Sequence, residues 1–140
     1  MSVEAETKIR EFLSVFHTGS LDTKQLSSYF AESATYLHRA RHAEPLRGRS
    51  AIIEELEQQF TRYSDCACQI HAIASTDRQV FTERTDEVVM CRDGKRVSVL
   101  LCGIFDLDME YRITNWREYW DMDDVLGCGP INGLPRAPRM

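Results

Sequence analysis

A change of period at Ser64 constrains this chain more than any other feature. Before it, apolar residues recur at helical spacing; after it, the chain reads as four extended runs. Ile9, Phe12, Leu13 and Phe16 fall at i, i+3, i+4 and i+7, which places them on one helix face. Leu26, Tyr29 and Phe30 share the face of a second helix, capped by Ser20 or Asp22. A third helix opens after Gly48, with Ile52, Ile53, Leu56, Phe60 and Tyr63 along one side and Glu54, Glu55 and Glu57 mostly on the other. Between the second and third helices, Thr35 to His38 reads as a short strand running into a loop around Pro45.

The runs CACQIHAIA, RQVFTERTDEVVMC, KRVSVLLCGIFDL and YRITNWREYWDM are rich in β-branched and aromatic residues, as strands are. Asp93-Gly94 is a two-residue hairpin signal between the second and third, and Asp108 to Glu110 is a weaker turn. Consecutive strands joined by hairpins make an antiparallel sheet. Helices followed by a sheet predict an α+β domain with the helices against one face. That domain occupies residues 1–126, and 127–140 form a tail holding three of the seven glycines and three of the four prolines.

A length of 140 residues suits one domain with one core. The formal net charge of −5 disfavours a phosphate-backbone partner, so no nucleic acid is expected. No apolar run approaches the roughly 20 residues of a membrane helix, and MSVEAETKIR lacks the apolar stretch of a signal peptide. A cytoplasmic location without membrane contact is the expectation. The five cysteines are odd in number, which fits reduced thiols. Cys66, Cys68 and His71 match no common zinc spacing and lack an obvious second ligand pair, so no metal is expected and the cysteines read as small apolar strand residues.

Strand alternation isolates the groups that carry chemistry. Arg84 and Asp86 share a face with Val80, Thr82, Val88 and Met90. A charged pair among such neighbours is costly to bury unless both members are hydrogen-bonded, and groups of this kind gather at functional sites as well as in surface ion pairs. On the last strand Trp116, Glu118 and Trp120 point one way and Arg117, Tyr119 and Asp121 the other. A carboxyl between two tryptophans is an acid in an apolar pocket, where desolvation raises its pKa, and Arg84 is its obvious partner. Tyr36 and His38 share a face of the first short strand. Of the other histidines, His17 ends a helix and suits its C-terminal dipole, His42 reads as solvated loop, and His71 has no assigned role.

The run FTERTDEVV, then LCGIFDL, then ITNWREYWD resembles the limonene-1,2-epoxide hydrolase family, within the cone-shaped α+β superfamily of ketosteroid isomerases, SnoaL-type polyketide cyclases and nuclear transport factor. The resemblance spans roughly residues 9–124. It implies a curved antiparallel or mixed sheet with the N-terminal helices on its concave face, and a homodimer formed through the outer face. Arg84 and Asp86 match the family's Arg-x-Asp pair, Tyr36 matches its water-holding tyrosine, and Glu118 stands where the family has its second acid. His38 occupies the position of a family asparagine.

The implied reaction is the opening of an apolar epoxide by water to a vicinal diol, with no cofactor and no metal. Asp86 would protonate the epoxide oxygen, Glu118 would take a proton from water, and Arg84 would hold both carboxyls. Tyr36 and His38 would position the water. A histidine also accepts a proton, unlike asparagine, so His38 working as the base, with an isomerase or a hydroxyl-capturing cyclase as the activity, is the alternative. A noncatalytic ligand-binding module is the reading from another class, and a buried acid-Arg-acid set argues against it. Alternation places Trp116, Trp120, Val88, Leu100 and Ile104 in the expected pocket walls.

Overall fold

The computed structural model describes residues 1–17, 20–40 and 43–126; His42 and the predicted tail 127–140 lie outside the described residues. Helix α1 (Val3–Ser14) starts at Ser2, whose hydroxyl accepts from the Ala5 amide, and carries Glu4 and Glu6 in its first turn, where the helix dipole favours them. A short 3-10 turn, Val15–His17, continues it. Helix α2 (Thr23–Ser28) is capped by Asp22. It ends earlier than the sequence pattern predicts, because Phe30 already belongs to strand β1 (Phe30–Leu37). Pairing with a strand more than eighty residues away overrides the local helical spacing of Leu26, Tyr29 and Phe30, and lengthens the strand expected only from Thr35.

Strand β2 (Leu46–Arg47) leads through Gly48 into α3 (Arg49–Arg62). Gly48 has φ 94°, a conformation that side chains with a Cβ rarely adopt. The remaining elements are β3 (Tyr63–Ser75), β4 (Gln79–Met90), β5 (Arg96–Leu107), β6 (Ile113–Trp120) and the four-residue α4 (Asp123–Leu126). The six strands form one sheet in the order β2-β1-β6-β5-β4-β3. Every pairing is antiparallel except β1 with β6, so the sheet is mixed. Register shifts in β3, between Tyr63 and Cys66 and between Ile70 and Ala72, are bulges of the kind that bend a sheet around its contents.

The helices pack on the inner face, and Phe12 of α1 is the hub. Its ring meets those of Phe16, Tyr29, Phe30, Phe105 and Trp116 at centroid distances of 5.1–6.0 Å, mostly edge to face. Ile9, Leu26, Ile52, Leu56, Val80 and Ile113 complete the dry end of the core. His17 does more than face a helix dipole: its Nε2 accepts the Cys68 amide at 2.9 Å, which ties the 3-10 turn to the edge strand β3.

Candidate active site

The apolar core fills one end of the space between helices and sheet. The other end is open and forms a cavity of about 360 Å³. Its floor is the inner face of β4, β5 and β6, and α3 supplies one wall.

Arg84 lies beneath the floor and joins two residues that line it, Asp86 and Glu118. Only 2% of it is exposed, yet it is charged and held from two sides. Its Nε donates to Asp86 Oδ1 at 3.1 Å, and its Nη2 donates to Glu118 Oε1. Nη1 donates to Thr82 Oγ1 at 3.2 Å, and that hydroxyl in turn donates to the Gly103 carbonyl. Burial pulls the guanidinium pKa down, but the Glu118 and Asp86 carboxylates raise it above its ordinary value, so Arg84 stays charged. The alternation of β4 and β6 that groups Arg84 with Asp86, and Glu118 with two tryptophans, is realised, and the fold brings both sets together.

The two carboxyls differ in environment. The Asp86 side chain is 20% exposed and faces the cavity. Glu118 is buried, and among the described residues its Oε2 has no hydrogen-bond partner. Burial pushes the Glu118 pKa up to about 7 against the opposing pull of Arg84, with the Asp86 charge adding to the rise. Two carboxyls around one guanidinium in a poorly hydrated space share a proton readily, because one proton makes the set neutral.

Gly103 explains how three ionic groups fit into the floor. It lies on β5 opposite Thr82 on one side and Glu118 on the other. A Cβ at this position would stand 2.5 Å from Glu118 Oε2 and within 3.0 Å of the Arg84 guanidinium. Only a residue without a side chain lets the ion pair lie flat on the sheet.

Tyr36 on β1 and His38 just beyond its end reach the same cavity beside β6. The Tyr36 ring stacks on Trp116 at 4.0 Å and 11°. Burial, together with the Glu118 charge, raises the phenol pKa well above its ordinary value, which keeps the hydroxyl neutral and able to donate. His38 is held at both ends: the Trp120 indole donates to its carbonyl at 2.8 Å, and its Nε2 lies 3.3 Å from Glu55 Oε1. Burial lowers the imidazole pKa while Glu55 opposes the shift. Its Nδ1 is buried without a partner among the described residues.

Trp120 and Val88 line the cavity as expected. Trp116 lies beneath Tyr36 and supports the floor rather than forming a wall. Leu100 and Ile104 do not line the cavity: they lie on the outer face, where Leu100 is 53% exposed and Ile104 borders an outer groove. Register supplies the reason. Residues directly opposite in an antiparallel pair share a face, and inward Asp86 and Arg84 stand opposite Val99 and Leu101, while outward Thr85 stands opposite Leu100. Val99 and Leu101 are therefore the wall residues.

Glu55, Gln59 and Arg62 of α3 also line the cavity. Sequence reading put Glu55 on the solvent side. Its spacing from Gln59 and Arg62, at i, i+4 and i+7 beside the apolar stripe, is the signal of a polar row at the edge of the buried face. Cys66 lines the cavity, with Cys68 on the same inner face. His71 turns to the other face, where its Nε2 is 2.7 Å from Thr85 Oγ1, so it does not join them.

Known proteins resemble this chain in fold or in sequence. A solved Mycobacterium tuberculosis LEH-like epoxide hydrolase matches with a TM-score of 0.74 and 26% identity, over 89% of this chain and 88% of that one. The epoxide hydrolase/cyclase-like enzyme SalBIII matches in fold, with a TM-score of 0.74 and 20% identity over 86% of this chain and 93% of that one. Epoxide hydrolase EphG of Mycobacterium tuberculosis is 39% identical over 66 residues, which are 47% of this chain and 42% of that protein, so the alignment spans under half of this curated relative. Over residues 3–129 the sequence matches the family model described as the limonene-1,2-epoxide hydrolase catalytic domain, and with the cone-like mixed sheet and the residues at its floor already in view, the chain belongs to that family.

Proposed function

We propose that this protein is a cofactor-independent epoxide hydrolase that opens an apolar epoxide with water to a vicinal diol. The observation that carries this reading is Arg84 bridging Asp86 and Glu118 in the floor of a cavity whose walls include Val88, Val99, Leu101 and Met90. An epoxide needs a proton on oxygen as the carbon–oxygen bond breaks, and water needs to lose one as it attacks. In the reactive form the single proton shared by the two carboxyls sits on Asp86, which faces the cavity and gives it to the epoxide oxygen. Glu118, with a pKa of about 7, is a base matched to neutral pH and takes the proton from water. Arg84 keeps the two carboxyls in fixed relation as the charge passes from one to the other. Tyr36 and His38 hold the water, and Glu55 keeps the His38 proton on Nε2, leaving Nδ1 as an acceptor.

The test is incubation with cyclohexene oxide or limonene oxide in heavy-oxygen water, with diol detection by mass spectrometry. One labelled oxygen per diol is expected, and Asp86→Asn is expected to abolish turnover while leaving the circular dichroism spectrum unchanged. Absence of label in any product excludes hydrolysis.

The His38–Glu55 pair favours one second reading: an epoxide-opening cyclase in which a substrate hydroxyl, deprotonated at His38, replaces water. SalBIII, which shares the fold, has a role in pyran ring formation in the polyether salinomycin, and this lends that reading support. Unlabelled cyclic ether from an epoxy alcohol distinguishes it. We also propose a homodimer through the outer face of the sheet, on the strength of the exposed Phe81, Leu100 and Tyr119 there. Sedimentation at the monomer mass overturns that assembly.

A further inference from the structure

We propose that Cys66, Cys68 and Asp86 form a binding site for a thiophilic divalent cation of the zinc or cadmium kind, and that its occupancy shuts the catalytic cavity. Cys68 stands directly opposite Asp86 across the β3–β4 pairing, and Cys66, two residues before it, lies on the same face of β3. The two sulfurs are 4.0 Å apart. Two thiolates on one tetrahedral zinc, each about 2.3 Å from the metal, stand about 3.8 Å apart, so the pair is already spaced for chelation. One ligand atom from each of Cys66, Cys68 and Asp86 lies within 4.8 Å of the others. The third ligand is the cross-strand carboxylate, which no linear spacing of cysteines and histidines reveals.

Three protein ligands leave a fourth position open toward the cavity for water. Binding releases two protons from the thiols to solvent, with no change of oxidation state. Two thiolates and the Asp86 carboxylate then carry three negative charges, against two on the cation and one on Arg84. The set is neutral when Glu118, which shares the Arg84 guanidinium, holds its proton, and neutrality is what a half-buried pocket tolerates. Asp86 cannot hold the proton an epoxide needs while it ligates a metal. The inhibitory consequence therefore rests on the epoxide hydrolase reading, whereas the binding itself does not.

The experiment titrates the reduced full-length protein with cadmium ion and follows the thiolate-to-cadmium charge-transfer absorption in the ultraviolet. Saturation at one equivalent is expected. Cys66→Ala and Cys68→Ala are each expected to remove the band, whereas Cys91→Ala and Cys102→Ala, at exposed positions away from the cavity, keep it. Asp86→Asn is expected to keep the band but weaken binding about tenfold or more, the effect of losing a ligand. Persistence of the band in the Cys66→Ala/Cys68→Ala double variant overturns the site, and unchanged affinity in Asp86→Asn overturns the third ligand. Epoxide turnover measured in parallel is expected to fall in step with the band and to recover with a chelator. Cadmium bound at one equivalent with turnover intact overturns the inhibition and leaves the binding standing, while a chain that turns over no epoxide still reports on the site through the absorption alone.

Discussion

The substitution Gly103→Ala adds a single methyl group beneath the Arg84–Glu118 ion pair. Its Cβ would stand 2.5 Å from Glu118 Oε2 and 3.1 Å from Thr82 Oγ1, where ordinary contact begins at 3.4 Å. The carboxyl must retreat by about 0.9 Å to reach that contact, and the guanidinium must move with it. A displacement of about 1 Å at reacting groups costs on the order of a hundredfold in rate. Overpacking of this size costs about 1–3 kcal/mol of stability, which a domain of this length survives. The expected result is a folded variant with kcat/KM for a cyclic epoxide down about a hundredfold and an altered pH profile, because Glu118 no longer sits in the same field. Cys102→Ala, one residue away on the exposed face, is the control and keeps both properties. Steady-state kinetics and urea midpoints on the two variants decide the matter. A Gly103→Ala enzyme with kcat/KM and acid limb equal to wild type refutes the assignment of the Arg84–Glu118 pair to the reaction.

Further outcomes follow from the same floor. If Glu118 is the base, kcat/KM declines about tenfold per pH unit on the acid side of pH 7, and Glu118→Gln abolishes turnover at every pH; a pH-independent rate between 5 and 7 contradicts this. The folded-state pKa of Glu118 lies above its ordinary 4.5, so its contribution to stability is present below pH 4.5 and lost as pH rises through about 7. The difference amounts to about 3 kcal/mol, read as a fall in urea midpoint from pH 4.5 to 8 that is absent in Glu118→Gln. Arg84→Met leaves two carboxyls without their cation and is expected to destabilise by about 3–5 kcal/mol, measured by denaturant unfolding. Glu55→Gln, which loosens the His38 tautomer, is expected to lower kcat about tenfold or more while nitrogen NMR shows mixed imidazole tautomers; a single unchanged tautomer argues against the positioning role.

Much of this site was legible because strands keep a strict two-residue period. That period alone grouped Arg84 with Asp86 and Glu118 with Trp116 and Trp120, and each group is found on the inner face. The same rule failed on β5, where the run from Val97 to Ile104 is apolar or small on both faces, with only Ser98 polar. Leu100 and Leu101 are equally greasy, and only their cross-strand partners, Thr85 and Arg84, decide which is inside. A one-residue error in parity exchanges every residue between cavity and solvent. Glu55 was missed for a related reason: its acidic neighbours Glu54 and Glu57 are exposed, and local composition does not separate them from a carboxylate aimed at His38. The end of α2 and the start of β1 were misread because parallel pairing to β6 is a long-range interaction that leaves no local mark. The pairing of Cys68 with Asp86 is likewise a property of the sheet and not of either strand.

The parallel seam between β1 and β6 also sets an order of events during synthesis. Of the residues at the site, Tyr36 and His38 are made first, Arg84 and Asp86 next, and Glu118 last. A ribosome-bound chain that has not yet released β6 therefore holds Arg84 with one carboxylate, only the two-residue β2 as a neighbour for β1, and an open wound along the middle of the sheet. Closing it requires joining segments about eighty residues apart, a slow kind of contact to form. Assembly of Arg84 with both carboxyls and completion of the hydrophobic interior thus arrive in the same step.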